Sequence, residues 1–201
     1  MSRAEAPVAG VVLAAGSSTR MGRNKLLLEL EGETLVRRAA RAALEAGLDP
    51  VVVVLGHEAE RIRAELDGLP CRAVFNPEHA LGAGASLRCG VHQVSGAGAF
   101  VLALADMPFV TAAMLAALVA RYREGGAPLV TSRYGEVDAP PHLFARALFG
   151  EILAGEDERC ARQVVRRHAA EAAVAAWPAS ALQDVDVAAD YEQVRALLSR
   201  P

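Results

Sequence analysis

The 201-residue chain is 53% apolar, only 4% aromatic, carries a net charge of −3 and contains three cysteines. That charge leaves no basic footprint for nucleic acid, no run of about 18 apolar residues could cross a membrane, and the N-terminal MSRAEAP lacks the apolar core of a signal peptide. Cys71, Cys89 and Cys160 are odd in number and too widely spaced for a metal motif or disulfide framework, so a reducing cytoplasm is the expected compartment.

In chain order, Val8–Ala14 is an apolar run broken only by Gly10 and reads as a buried strand. It empties into Ala15, Gly16, Ser17, Ser18 and Thr19, with Arg20, Gly22 and Lys25 following. Small residues let main-chain N–H groups approach an anion, and the two cations neutralise it, which suits phosphate. The same composition also suits a plain β–α turn, and the spacing is neither a P-loop nor a dinucleotide fingerprint. After a turn at Glu31–Glu33, Thr34 is placed to cap a helix over Leu35–Ala46 that ends at Gly47. Val51–Leu55 is a buried strand, Glu58–Leu66 a helix, and Arg72–Phe75 a short strand stopped by Asn76-Pro77.

A second stretch of small residues, Gly82–Ser86, reads as a loop leading into a helix that runs from Ser86 to Val94. Phe100–Ala105 is a strand ending at Asp106-Met107-Pro108, Thr111 caps a helix over Ala112–Arg123, and Leu129–Ser132 is another strand. This alternation predicts a three-layer α/β/α sandwich with a mainly parallel central sheet. Ligands of such sheets bind at the carboxyl ends of the strands, where the first loop, Gly82–Ser86 and Asp106 all fall. Beyond Arg133 the pattern loosens. Gly135–Pro141 reads as a turn-rich segment lying over the site, Arg146–Leu153 and Cys160–His168 as helices, Ala173–Trp177 as a strand, and Ala189–Leu198 as a last helix.

Asp106 follows an apolar run and faces the phosphate loop, which is where a Mg²⁺ ligand belongs; a turn or cap role is the alternative. Mg²⁺ takes one or two carboxylates, and Asp184 and Asp186 are the candidates for the second, with capping of the last helix equally open. The histidines, His57, His79, His92, His142 and His168, do not cluster in sequence.

With these residues in view, Leu13–Leu27, LAAGSSTRMGRNKLL, resembles the LAAGxSxRMGxxKLL signature of the MobA-like nucleotidyltransferases of the molybdenum cofactor. Asp106-Met107-Pro108 resembles their D-x-P element, NPEHALGAGASL (Asn76–Leu87) their N-x₅-G-x-x-x-S-L element, and Asp184-Val185-Asp186 the start of their D-[IV]-D-T-P-E-D. The resemblance implies a nucleotide-diphospho-sugar-transferase-like fold in one domain over 1–201, with a nucleotide-binding half up to residue 110 and an acceptor-facing half after it. It implies transfer of CMP from CTP to the terminal phosphate of molybdopterin, with release of pyrophosphate. CTP rather than GTP follows from Leu13-Ala14-Ala15-Gly16, since GTP users carry Leu-Ala-Gly-Gly; the methyl of Ala15 would narrow the base pocket.

On this reading the main chain of Leu13, Ala14, Ala15, Gly16 and Ser17 meets base and ribose, and Gly84 and Ser86 close the other side. Lys25 sits on the reacting phosphates, Arg20 holds the leaving pyrophosphate, and Asp106 with Asp186 carries Mg²⁺. His142 and Asp184 face the acceptor. The expected partners are these small molecules and a molybdoenzyme or chaperone that receives the product, with no nucleic acid or membrane. Three segments depart from the family: Asp157–Arg162 keeps only the Ala-Arg of Gly-Asp-x-Gly-Ala-Arg, Ala139–His142 replaces Gly-His-Pro, and Val187-Ala188 replaces Thr-Pro. The altered segments face the acceptor, so a sugar 1-phosphate is an alternative acceptor. A NAD(P)H-dependent oxidoreductase is the alternative of another class, against which Gly82-x-Gly84-x-x-Leu87 lacks the third glycine of the dinucleotide fingerprint.

Overall fold

The computed structural model describes residues 6–18, 21–155 and 160–198. Seven strands form one sheet in the order β5-β4-β1-β6-β8-β7-β9. They are β1 (Val8–Ala14), β4 (Val51–Leu55), β5 (Arg72–Phe75), β6 (Ala99–Leu104), β7 (Leu129–Tyr134), β8 (Val137–Ala145) and β9 (Ala173–Trp177). The short strands β2 (Glu29–Leu30) and β3 (Glu33–Thr34) form a separate hairpin, turned at Glu31 and Gly32, both at positive φ. Every pairing in the large sheet is parallel except those of β8 with its two neighbours.

The central strands β1, β4 and β6 are buried on both faces, which is why they read as unbroken apolar runs and not as alternating ones. One face packs against α1 (Leu35–Glu45), α2 (Ala59–Glu65) and α4 (Ala112–Gly125), through Val36, Ile62 and Leu118 onto Val12, Val53 and Val101. The other packs against α3 (Ala83–Gln93), α5 (Phe149–Ala154) and α6 (Cys160–Arg167), through Leu87, Ile152 and Val164 onto Val11, Val54 and Phe100. Helix α3 rides directly on the sheet, because a Cβ on Gly90 would stand 2.5 Å from Val11 Cγ1. These are the three expected layers. A satellite core joins α7 (Ala188–Leu198) to the hairpin through Val194, Leu30, Leu35 and Val185. No helix among the described residues is long and apolar enough to cross a membrane.

The segment Gly135–Pro141, expected to be a loop, instead enters the sheet: β8 spans nine residues between β6 and β7. Two prolines hide it. Pairing with β7 runs through Leu143 and His142, shifts register, and resumes at Asp138, so Ala139, Pro140 and Pro141 lie where the ladder is interrupted and no amide hydrogen is demanded. Gly82–Ser86 is also not a loop: α3 begins at Ala83, with Gly82 at its N-cap position with φ 96°. Thr111 caps α4 as expected, accepting from Met114 N at 3.2 Å. Thr34 precedes α1 without a capping bond and donates instead to Glu65 Oε2 at 3.1 Å.

The chain leaves β1 toward β4 on one side and returns to β6 on the other. The order therefore reverses at β1 and β6, and a crevice opens beyond their carboxyl ends.

Candidate active site

Three carboxyl-end segments meet at that crevice. Asp106 lies just past β6, and Ala105 N donates to Leu13 O at 3.1 Å, tying it to the end of β1. Lys25 opens a short turn over Lys25–Leu27, held by Lys25 N on Ser18 Oγ (3.1 Å) and Leu26 N on Asn24 Oδ1 (3.1 Å). Asp186 arrives from the segment before α7, where Val185 N donates to Asp106 O at 3.0 Å. The Lys25 ammonium then donates to Asp106 Oδ2 and to Asp186 Oδ1, both at 2.7 Å. Burial disfavours the charged amine, but Asp106 and then Asp186 outweigh it, so the Lys25 pKa rises above the ordinary lysine value.

Asp186 is therefore the second carboxylate of the centre, whereas Asp184 is exposed. Neither caps α7. Asp190 does so, its Oδ2 accepting from Asp186 N (2.9 Å) and Val187 N (2.8 Å). This is the half of a capping box in which a side chain one turn into the helix reaches back to the cap amide. It serves here because Val187 has no oxygen with which to cap.

Beside the centre lies a cavity of about 480 Å³ whose lining includes Leu13, Ala15, Gly16, Ser17, Ser86 and Asp106. Gly16 and Ser17 are exposed in it, and nothing stands within 4 Å of a Cβ built on Gly16. Ala14 belongs to the core and is not among the residues lining that cavity. Ser86 is fixed by accepting from the buried Asn76 Nδ2 at 3.1 Å, which pins the end of β5 to the first turn of α3. His79 completes this wall. Gly56 closes the back: a Cβ there would stand 2.6 Å from Ala15 O and from His79 Cβ.

A second cavity, of about 630 Å³, shares Leu13, Ala83 and Leu104 with the first and extends between α3, β8 and α6. Its walls are mostly apolar, with Leu87, Leu102, Pro140 and Val165, and its polar groups are Asp138, His142, Arg162 and Arg166. Gly84 lines this cavity and not the first. His142 is buried, which pushes its imidazole down to about 4 and keeps it neutral. Arg133 holds Asp138 in a two-toothed ion pair at 2.8 and 3.3 Å.

Arg20 lies outside the described residues, as does Asp157–Arg159 of the altered acceptor segment. Among the described residues no group of three or more His, Cys, Asp and Glu side chains gathers as a metal cage. The donor set nevertheless suits Mg²⁺, which is held through one or two carboxylates together with substrate phosphates. Asp106 and Asp186 already converge on a single cation, the Lys25 ammonium. Asp190, Asn76 and Gly56 are the site-building residues that pattern reading missed. Asn76 could have been found, since an Asn that ends a strand and precedes a proline is a side chain able to bond its own turn, as it does to Glu78 N at 3.0 Å.

The model of the MobA-like NTP transferase domain matches residues 10–174. The chain is similar to the purine catabolism protein PucB of Bacillus subtilis (strain 168), with 34% identity over 94% of this chain and 97% of that one. It is also similar to nicotine blue oxidoreductase of Paenarthrobacter nicotinovorans, with 34% identity over 66% of this chain and 65% of that one. Among solved structures, Rv0371c of Mycobacterium tuberculosis H37Rv superposes with a TM-score of 0.85 at 29% identity, covering 95% of this chain and 98% of that one; it has also been solved in complex with manganese. The carboxylate–lysine centre, the crevice where the strand order reverses and the match over most of the chain agree: this protein belongs to the MobA-like NTP transferase family.

Proposed function

We propose that the protein is a Mg²⁺-dependent nucleotidyltransferase that moves CMP from CTP to the terminal phosphate of molybdopterin and releases pyrophosphate. The observation that carries the reading is the Lys25–Asp106–Asp186 cluster at the mouth of two joined cavities. One cavity takes the nucleotide and the other the acceptor. Their shared wall is where the acceptor phosphate would meet the α-phosphorus.

Asp106 and Asp186 would hold the metal, which supplies charge neutralisation on the phosphates. Its use by a similar protein is in keeping with the manganese complex of Rv0371c. A terminal phosphate is already ionised near neutral pH, so the chain need supply no general base. Its contribution is positioning and electrostatics. Ala15, Gly16 and Ser17 line the cavity assigned to the nucleotide, Gly56 keeps that loop in place, and Lys25, bonded to Asp106, would bring its positive charge to the reacting phosphates. Arg20 is assigned to the leaving pyrophosphate.

The leucine, proline and valine walls of the second cavity suit the flat face of an acceptor ring, whose polar edge, like a sugar's hydroxyls, needs partners when buried. The cavity also offers one neutral imidazole and two arginines, and its one carboxylate is engaged by Arg133. His142 is thus assigned to the acceptor, and Asp184, exposed, to its approach.

The deciding experiment is calorimetric binding of CTP, GTP, ATP, NADH and NADPH with and without Mg²⁺. Mg²⁺-dependent CTP binding that Asp106→Ala abolishes is expected. A preference for GTP would remove the argument from Ala15 and leave the enzyme class intact. Binding of NADH or NADPH with indifference to Mg²⁺ would replace this reading with an oxidoreductase one.

A further inference from the structure

Lys25 stands where the metal belongs. Its ammonium lies 2.7 Å from Asp106 Oδ2 and 2.7 Å from Asp186 Oδ1, its side chain is only 12% exposed, and its main chain is held by Ser18 and by the turn that Asn24 caps. A metal ligated by both carboxylates and an ammonium bonded to both cannot share that position. Lys25 is also the sole lysine of the sequence; every other basic side chain among the 21 is arginine. An arginine fork is broad and planar, whereas an ammonium is a compact point charge on a flexible stem. Only the latter can fill a cation's place and then leave it.

We infer that Lys25 is the resident counter-ion of the carboxylate pair and changes partner when the metal–nucleotide complex arrives. This rests on Asp106 and Asp186 being the metal pair. Metal entering alone must expel the ammonium from two carboxylates and leave it largely buried without an anion. Metal entering with a nucleoside triphosphate brings phosphate oxygens that receive it. The lysine therefore couples the two ligands: the free protein takes up divalent cations poorly, and nucleotide makes room for them. The same movement delivers the positive charge to the phosphates.

The test is Mn²⁺ binding, read by electron paramagnetic resonance, to the wild-type chain and to Lys25→Met, each with and without CTP. Without nucleotide, Lys25→Met is expected to bind Mn²⁺ about 10-fold or more tighter than wild type, within the usual span of coupling between two sites, and CTP should then add less. Equal or weaker binding by a folded Lys25→Met, with CTP·Mg²⁺ still bound by wild type, would overturn the exchange and leave the proposed function standing. Failure of wild type to bind CTP·Mg²⁺ at all would overturn that function as well.

Because there is a single lysine, ε-¹⁵N-lysine labelling reads the same event in the wild-type protein whether or not the variant folds. The lone ammonium signal should shift with CTP plus Mg²⁺ and stay in place with Mg²⁺ alone at the same concentration. A signal that ignores the nucleotide complex, or that moves equally with bare Mg²⁺, would sink the inference.

Discussion

Asp190 Oδ2 accepts the main-chain N–H of Asp186 at 2.9 Å, so the carboxylate that meets Lys25 is held in place by a side chain one helical turn further on. The same oxygen takes Val187 N at 2.8 Å. Asp190→Ala should lower the melting temperature by an amount matching about 1 kcal/mol for a lost cap. It should also raise the Mg²⁺ concentration needed for CTP binding about 10-fold, as loss of an outer-shell partner does. Asp190→Asn should restore part of both. A melting-temperature loss with an unchanged Mg²⁺ titration would make Asp190 a cap and nothing more.

Asp106 and Lys25 should be close to indispensable. Removing one preorganised electrostatic group typically costs about 10²–10³ in rate, so Asp106→Ala and Lys25→Ala should each lose at least that much. The check is pyrophosphate release from CTP in the presence of acceptor. Full activity in either variant would remove that residue from the centre.

Ala15 is among the residues lining the cavity of about 480 Å³ that the proposed function gives to the nucleotide. Ala15→Gly should shift preference from CTP toward GTP by roughly 10-fold, the ordinary worth of one carbon in a fitted pocket. Competition calorimetry with the two nucleotides reads this directly.

Gly56 has no room for a side chain, since its added Cβ would press on the Ala15 carbonyl and on His79 at 2.6 Å each. Gly56→Ala should cost about 1–3 kcal/mol of stability, as overpacking does, and should weaken CTP binding because the obstacle is the nucleotide loop's own backbone. Unchanged CTP affinity would show that the loop yields without loss.

His142 makes stability depend on acid pH. Burial holds its imidazole at about 4, against the ordinary 6.5. Between those values the unfolded chain takes up a proton that the native protein refuses, so stability falls as pH drops from 6.5 toward 4 and levels off below. The loss amounts to about 3 kcal/mol. Urea unfolding across that range should show it in wild type, and His142→Phe should flatten that part of the profile.

Read as sequence, Val8–Ala14, Val51–Leu55 and Leu129–Ser132 declare themselves as buried strands because apolar runs bounded by turn residues have few other uses, and the layers follow from their alternation with helices. The glycine- and serine-rich loop and Asp106 were legible because each sits just beyond a strand end, where open α/β sheets bind ligands, and Lys25 because it is a cation in the same loop. Strand β8 was not, because Pro140 and Pro141 deny it the look of a strand, and only the interrupted ladder beside β7 shows how it is accommodated. The residues alone left Asp184 and Asp186 both open as the second carboxylate, and only the family resemblance named Asp186. Lys25 reaches Asp106 across 81 positions and Asp186 across 161, and no local pattern encodes which carboxylate a distant ammonium will meet. That pairing depends on α7 docking its apolar side on the Glu29–Thr34 hairpin and on Val185 bonding the Asp106 carbonyl. Local composition determined where the strand-end loops and the crevice between them fall. Tertiary packing decided which charges converge there, because burial brings together oppositely charged groups far apart in the chain and leaves their near neighbours in sequence to solvent.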